Sequence, residues 1–212
     1  MTTAPVLEAH GITKAYGRRP VLRSADLAIM PGQLAGVVGE NGSGKSTLLK
    51  ILAGTLAADG GRVRLAGTLG YCPQAPVLND NLTVAQHLRY FAAARRLQSL
   101  DRASGLLAEL GYEQYLDTVV SALSGGTRQK LNLTLALLHD PDVLLLDEPY
   151  QGFDWETYLR FWRLAENLRE RGKAIVIITH LVFEQQRFDI LADLSGGQLR
   201  QRVPARRNDA SS

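Results

Sequence analysis

Gly39-Glu40-Asn41-Gly42-Ser43-Gly44-Lys45-Ser46-Thr47 is the stretch that decides the fold. The apolar residues 34–38 precede it, and apolar residues at helical spacing follow from Leu48. This order predicts a strand, a glycine-rich loop and the start of a helix, which is the context of a phosphate-binding P-loop. Glycines let backbone N–H groups surround a polyphosphate, and the new helix adds its positive end. The stretch therefore predicts a site for a nucleoside triphosphate.

Two side chains of this loop have distinct expected tasks. Lys45 is expected to reach the β- and γ-phosphates, and Ser46 is expected to offer its hydroxyl to Mg²⁺. The remaining phosphate-binding positions are Gly39, Asn41, Gly42, Ser43, Gly44 and Thr47. The alternative is a glycine-rich turn that ends in Gly-Lys-Ser by chance, and the flanking strand and helix argue against it.

Composition sets the broad class of the protein. The 212 residues are 45% hydrophobic, which suits one α/β domain with a sizeable core. A net charge of +3 is too weak to indicate nucleic-acid binding by itself. The single cysteine, Cys72, excludes an internal disulfide and is expected to be a buried small hydrophobic residue. No signal peptide is evident and no apolar run approaches the ~20 residues of a membrane span, so we expect a cytosolic chain that reaches a membrane through a partner.

Periodicity and turn residues give a coarse map of the elements. Strands are expected at 6–12, 21–30, 62–65, 68–72, 143–146 and 174–178; helices are expected after the P-loop, at 83–97, at 101–111, after 123–127 and at 155–171. Thr83 and Asp101 are the expected N-caps, and Gly111 is the expected C-terminal glycine. Asp59-Gly60-Gly61 is typical of a hairpin turn. The helix-rich block between strands predicts a helical subdomain beside a parallel-sheet core.

A second group of polar residues follows the apolar run Val143–Leu146. Such a continuous run is typical of a buried parallel strand. Asp147 ends it beside the P-loop and is placed to hold Mg²⁺. Glu148 has the opposite strand parity and can orient the attacking water as a general base. The alternative is two acids in a surface loop after a core strand.

Five further features are candidates for a site or for a structural role. Ser124-Gly125-Gly126 before a long helix predicts a second anion site, because a plain N-cap would not need two glycines. His180 ends the strand 174–178, at the edge where ligands bind in parallel sheets. Tyr16 could stack on a base, although a turn aromatic is the plainer interpretation. His139 is expected to act as a cation at a helix C-terminus, and Trp155 and Trp162 are expected to lie in the core.

Together these pieces resemble the nucleotide-binding subunit of an ATP-binding cassette (ABC) transporter over nearly the whole chain. The resemblance rests on the order P-loop, Gln74, Leu123-Ser124-Gly125-Gly126, the run ending in Asp147-Glu148-Pro149, Asp154 and Thr179-His180. It implies an α/β fold: a P-loop NTPase (RecA-like) core with a small antiparallel β lobe and an inserted α-helical subdomain. Residues 1–212 would form one domain, in which 1–74 and 140–212 make the lobe and core. Residues from about 75 to 139 would make the helical subdomain, ending in the signature helix.

The resemblance also implies roles for individual residues. Tyr16 looks like the adenine-stacking aromatic, which reverses the plainer interpretation. Gln74 looks like the glutamine that touches Mg²⁺ or water, and His180 looks like the switch histidine on the γ-phosphate. Ser124, Gly125 and Gly126 would cap ATP bound to a second subunit, and Asp154 would communicate across that dimer.

Three departures from the family pattern are visible. Thr127 stands where glutamine is commonest in the family signature. The connection from Arg62 to Gln74 is shorter than usual. The residues that precede Asp154, Tyr150-Gln151-Gly152-Phe153, are unusual for the family. A second LSGG-like segment, Leu194-Ser195-Gly196-Gly197-Gln198, matches the signature consensus better than residues 123–127 do. It follows His180 and no apolar helix comes after it, so we expect a hairpin turn there.

These features predict an ATP-hydrolysing subunit that uses ATP and Mg²⁺, pairs with a second ATPase subunit and drives a separate integral membrane permease. Residues 127–131 favour export, and the expected location is the cytoplasmic face of the membrane. The alternative is a non-transport ABC ATPase that acts on nucleic acid or ribosomes. Such relatives usually carry a long insertion or two cassettes, which this sequence lacks, so no nucleic-acid partner is expected. A P-loop kinase or GTPase would leave the LSGG segment unexplained.

Overall fold

The computed structural model describes residues 4–179 and 182–202, which form nine β-strands and five α-helices. The strands are β1 (Leu7–Tyr16), β2 (Arg19–Ile29), β3 (Leu34–Val38), β4 (Gly60–Leu65), β5 (Leu69–Cys72), β6 (Val143–Asp147), β7 (Ala174–Ile178), β8 (Ile190–Ser195) and β9 (Gln198–Arg202). The helices are α1 (Lys45–Leu52), α2 (Val84–Ala94), α3 (Asp101–Leu110), α4 (Gly125–Leu137) and α5 (Trp155–Glu170). Short 3-10 turns lie at Glu113–Tyr115, Val120–Ala122 and Val182–Arg187.

The central sheet has six strands in the order β5-β6-β7-β3-β8-β9. The pairings from β5 to β8 are parallel, and only β9 runs antiparallel, against β8. Strands β6 and β7 are buried along their whole length, as their continuous apolar sequences predict. Strand β7 lies between β3 and β6 and runs parallel to both. The carboxyl ends of β3 and β6 therefore lie at the same edge of the sheet.

A second sheet of three antiparallel strands, in the order β2-β1-β4, covers one face of the central sheet. Buried side chains of β1 and β2 share a hydrophobic core with helix α1 and with Val37 and Ile178 of the central sheet. Helices α2 to α5 pack on the opposite face in a second core that includes Trp162. The expected P-loop core, antiparallel lobe and group of helices are all present.

The start of β4 differs from the sequence prediction. Asp59-Gly60-Gly61 is not a hairpin turn, because Gly60 opens β4 and pairs with Thr13 of β1. A Cβ on Gly61 would come 2.5 Å from the carbonyl oxygens of His10 and Gly11. The glycines therefore permit close approach of two strands, and the prediction of a turn is wrong.

The helix caps agree with the sequence at two positions and disagree at a third. Thr83 forms a full capping box with Gln86 at the start of α2, and Gly111 ends α3 with a left-handed φ of 65°. Asp101 is instead the first residue of α3, and the N-cap is Leu100 without a side-chain bond. The carboxylate of Asp101 accepts a hydrogen bond from the Ser99 hydroxyl at 3.1 Å.

Tertiary packing places two side chains differently from what their helical positions predict. Trp162 is 1% exposed, as expected, but Trp155 is 72% exposed and lies outside the core. Nε2 of His139 lies 3.0 Å from the carbonyl oxygen of Leu69, and burial lowers the pKa of this histidine. His139 thus bonds β5 instead of the carbonyl groups at the end of α4, and the predicted cap there is wrong.

Cys72 is fully buried, as predicted, and burial raises the pKa of its thiol. In the part of the chain that the structure describes, no helix combines the length and the apolar character needed to cross a bilayer.

Candidate functional site

The P-loop runs from the end of β3 to the start of α1 and takes the backbone conformation that its glycines allow. Gly39, Gly42 and Gly44 have φ values of 146°, 80° and 107°. A Cβ on Gly44 would lie 2.7 Å from Cγ1 of Val21, so both conformation and space require glycine there. Gly44 is the N-cap residue of α1, whose first N–H groups are therefore open to an anion.

Lys45 crosses this loop from the first turn of α1. Its side chain is nearly buried, with 7% of the residue exposed, and Nζ donates to the carbonyl oxygens of Gly39 at 2.8 Å and Glu40 at 2.9 Å. The ammonium group is therefore held against the inside of the loop, where a phosphate chain would be surrounded by backbone N–H groups.

Asp147 ends β6 next to α1 and carries an incompletely bonded carboxylate. The residue is 3% exposed, and the nearby Ser46 hydroxyl partly offsets the effect of burial on the pKa of the carboxyl. Its Oδ1 is buried without a hydrogen-bond partner among the described residues. Burial raises the pKa of this carboxyl, and the nearby charge of Glu148 adds to the effect. A hydroxyl and a carboxylate oxygen with an open bonding position are suitable ligands for Mg²⁺, so these residues fit the ion that the family implies.

Glu148 follows with a strained backbone, at a φ of 48°. Its N–H donates to the carbonyl oxygen of Ile178 at 3.2 Å, which ties it to the end of β7. Nε2 of Gln74 lies 3.4 Å from Oε2 of Glu148. Gln74 reaches this position because it follows the end of β5, which pairs in parallel with β6.

These groups open into one cleft of about 780 Å³. The cleft is lined by Tyr16, Arg19, Val21, Asn41, Gly42, Gly44, Lys45, Ser46, Thr47, Gln74, Glu148, Gln151 and Ile178. Nine of the predicted site residues thus meet in space. Tyr16 is 52% exposed at the mouth, where its ring is open to a stacking partner.

The sequence prediction missed four lining residues: Arg19, Val21, Gln151 and Ile178. The signal for Arg19 and Val21 was their closeness to Tyr16 at the start of β2, and Gln151 lies three residues after Glu148. Gly39 and Ser43 line a neighbouring cavity of about 670 Å³ on the side of β8 and β9. Oγ of Ser43 is buried and has no hydrogen-bond partner in the described part of the chain.

The predicted signature segment begins helix α4 as expected. Ser124 is the N-cap residue, and its Oγ accepts a hydrogen bond from the N–H of Thr127 at 3.2 Å. Gly125 is exposed, and a Cβ placed on it would meet no atom within 4 Å. The described lining of the cleft includes none of the residues from 123 to 127. The segment therefore presents an open helix N-terminus away from the P-loop of its own chain.

Asp154 has a clear local task and also lies outside the described lining of the cleft. It is the N-cap of α5, where it accepts a hydrogen bond from the N–H of Thr157 at 2.7 Å. This bond lowers the pKa of the Asp154 carboxyl and keeps it ionised at the positive end of the helix.

The second LSGG-like segment, residues 194–198, contains the expected hairpin turn. Gly196 and Gly197 form the two-residue turn between β8 and β9, with φ values of 57° and 81°. The carbonyl oxygen of Gly197 accepts a hydrogen bond from the N–H of Arg23 at 2.6 Å, which joins the hairpin to β2. The prediction of a hairpin turn is confirmed. His180, the predicted switch histidine, lies outside the described residues.

The chain is similar to known proteins both in sequence and in fold. A family model described as "ABC transporter" matches residues 22–151. The Nod factor export ATP-binding protein I of Ralstonia nicotianae is 33% identical over 92% of this chain, and the zinc import ATP-binding protein ZnuC of Halorhodospira halophila is 36% identical over 83%. The chain spans 66% of the first relative's length and 68% of the second's. The dimeric bacterial ABC transporter cassette MJ0796 superposes with a TM-score of 0.86 at 23% identity, covering 93% of this chain and 98% of that one.

Proposed function

Because this chain belongs to the ABC transporter family, we propose that it is the ATP-hydrolysing subunit of a membrane transporter. One observation carries the proposal: Tyr16, the P-loop, Gln74 and Glu148 line a single cleft. A cleft of about 780 Å³ can accommodate a nucleoside triphosphate, with the base at Tyr16 and the phosphates along the loop.

ATP is held by three kinds of contact. The first N–H groups of α1 and the positive end of that helix face the phosphates, and Lys45 exchanges its loop carbonyls for phosphate oxygens. The ring of Tyr16 stacks on adenine. Stacking of a base on an aromatic ring contributes about 1–3 kcal/mol.

Ser46, Asp147 and Gln74 are the residues that would hold Mg²⁺. An ion held there would neutralise the negative charge of the phosphate groups. The open Oδ1 of Asp147 and the Ser46 hydroxyl are the groups that make this set suitable.

Glu148 is the proposed general base. Its carboxylate accepts the proton of the attacking water, while Gln74 orients the carboxylate from 3.4 Å. His180, which follows Thr179 at the end of β7, contacts the γ-phosphate in this proposal.

Two chains are proposed to act together. Ser124, Gly125, Gly126 and Asp154 lie off the cleft of their own chain, and we assign them to ATP bound by a second subunit. The open N-terminus of α4 has the charge and the exposed backbone N–H groups that a phosphate needs. The MJ0796 cassette, which has the same fold, is described as dimeric.

The partner is an integral membrane permease, which places the chain at the cytoplasmic face of the membrane. Residues from about 75 to 139 form the helical subdomain on which the permease acts through the segment near Gln74. Relatives include proteins named for export and for import, and we propose export because of the Nod factor export protein. The alternative, an ABC ATPase that acts on nucleic acid or ribosomes, predicts different partners in a purification.

The test has two parts. The purified chain should hydrolyse ATP when Mg²⁺ is present, and Glu148→Gln should retain ATP binding, lose turnover and elute as a dimer when ATP is added. Glu109→Gln, an exposed change in α3, is the control and should behave as the wild type. Unchanged hydrolysis in Glu148→Gln would contradict the general base.

Affinity purification from gently solubilised native membranes addresses the partner. A multi-span protein recovered in stoichiometric amount supports the transporter, and its sequence indicates the cargo. Recovery with ribosomes or nucleic acid favours the alternative.

A further inference from the structure

Tyr150 lies two residues after Glu148, and its side chain is almost completely buried at 8% exposure. Its ring packs against Tyr158, Phe161 and Trp162 of α5, with centroid distances of 5.4, 5.5 and 6.0 Å. Its hydroxyl donates to Oγ1 of Thr179 at 2.5 Å. The ring is therefore fixed by helix α5, while the hydroxyl is directed at the end of β7.

Glu148 needs such support because its backbone conformation is unfavourable. A φ of 48° is uncommon for a residue with a side chain, and it persists only where the surroundings determine it. The N–H of Glu148 is bonded to Ile178, and its carbonyl oxygen accepts from the N–H of Gln151 at 3.1 Å. The Tyr150 hydroxyl adds a side-chain link from the same short segment to the residue next to Ile178.

Thr179 connects this link to the P-loop. It is fully buried, and its N–H donates to the carbonyl oxygen of Val37 at 3.1 Å. Val37 lies two residues before Gly39 on β3. The chain of contacts from Tyr150 through Thr179 to Val37 thus joins the segment of Glu148 to the strand that carries the P-loop.

We infer that Tyr150 is a positioning residue whose hydroxyl, through Thr179, holds Glu148 in register with the P-loop. The inference rests on the proposed function, in which Glu148 is the general base. A base displaced by about 1 Å can lose about 100-fold in rate, although substrate binding is unaffected. Tyr150 itself lines no part of the described cleft and acts only through Glu148.

Tyr150→Phe keeps the ring and removes only the hydroxyl. We expect kcat for ATP hydrolysis to fall about tenfold or more, while KM stays within about twofold. The chain offers a matched control, because the fully buried Tyr112 donates in the same way to Oγ1 of Thr134 at 2.6 Å. Tyr112→Phe should lower the melting temperature by a similar amount and leave kcat unchanged. Equal kcat in the two variants would overturn the inference.

Three further variants show whether the effect passes through Thr179 and Glu148. Thr179→Val should reproduce the loss of kcat, and Thr179→Ser, which retains the oxygen, should restore most of it. In the Glu148→Gln background, Tyr150→Phe should cause no further loss of the residual turnover. An additional loss there would contradict action through Glu148.

The two levels of the proposal fail in different ways. A wild-type chain without ATP hydrolysis would remove the proposed function and the inference with it. A wild-type chain that hydrolyses ATP, together with a Tyr150→Phe variant as active as Tyr112→Phe, would remove the inference alone.

Discussion

Gly126 packs so closely on Gly152 that a Cβ on Gly126 would overlap the carbonyl oxygen of Gly152. Gly126 lies in the first turn of α4, and Gly152 lies in the loop between β6 and α5. The start of the signature helix is therefore in direct backbone contact with the loop that follows Asp147 and Glu148. The neighbouring Gly125, in contrast, is open to solvent.

This difference makes Gly125 the better position for testing the signature segment. We expect Gly125→Glu to fold normally, because a Cβ there meets no atom within 4 Å and Glu favours helix more than Gly does. The new carboxylate repels the phosphates that we assign to this helix N-terminus, so ATP hydrolysis should fall by about tenfold or more. Hydrolysis rate and melting temperature, measured together, check the prediction.

Gly105 in α3 is the control for this change. It is also an exposed helical glycine with no atom within 4 Å of a Cβ, so Gly105→Glu should fold and keep full activity. Equal ATPase activity of Gly125→Glu and Gly105→Glu would contradict a role of the signature segment in binding ATP. Gly126→Glu and Gly197→Glu are less informative, since a Cβ on Gly126 overlaps backbone and one on Gly197 lies 3.0 Å from the carbonyl oxygen of Val21.

Asp147→Asn should stabilise the nucleotide-free protein at neutral pH. Burial raises the pKa of Asp147, so the native state holds this proton more tightly than the unfolded chain does. The ionised carboxylate therefore destabilises the fold above the pKa of the unfolded residue, and this cost disappears as the pH falls below that pKa. The gain in melting temperature from Asn should be present at pH 7 and should shrink toward pH 4.

Asp147→Asn should also reduce the rise in melting temperature that Mg²⁺ and ATP cause together, because the amide lacks the negative charge that favours binding of the ion. We expect ATP and Mg²⁺ together to raise the melting temperature of the wild type more than that of Asp147→Asn. A larger Mg²⁺-dependent stabilisation in the variant would exclude Asp147 as a ligand.

Local sequence patterns predicted the parts of the fold that are fixed locally. The buried strands β6 and β7 follow from their apolar runs, and Thr83 is the N-cap of α2 as predicted. The meeting of Gln74 with Glu148 was predictable only through the family resemblance, because the two residues lie 74 positions apart in the chain, after the neighbouring strands β5 and β6.

The predictions that failed are those decided by tertiary contacts. The close approach of β1 and β4 requires Gly61, and no local signal separates that requirement from a turn. His139 is drawn to the carbonyl oxygen of Leu69 instead of the end of its own helix. The link from Tyr150 to Thr179 joins two loops 29 residues apart, so the sequence gives no pattern for it.

Tyr16→Ala should weaken ATP binding, and Tyr16→Phe should retain it, because the proposed contact uses the ring face. A loss of about 1–3 kcal/mol corresponds to about fivefold to 150-fold in Kd. Tyr90→Ala is the control, since Tyr90 is 67% exposed on α2 and does not line the described cleft. Titration with a fluorescent ATP analogue measures Kd, and equal Kd values for the two alanine variants would exclude stacking on Tyr16.

The two tryptophans should differ sharply in their effect on stability, since α5 buries one and exposes the other. Trp162 is 1% exposed and packs edge-on against Phe161 and Phe188, so Trp162→Ala should cost about 3–5 kcal/mol. Trp155 is 72% exposed and stacks on Tyr158, so Trp155→Ala should cost less than about 1 kcal/mol. Urea unfolding measures both, and iodide should quench Trp155 fluorescence strongly while Trp162 stays protected. Comparable costs for the two changes would mean that the first turn of α5 is buried against another surface in solution.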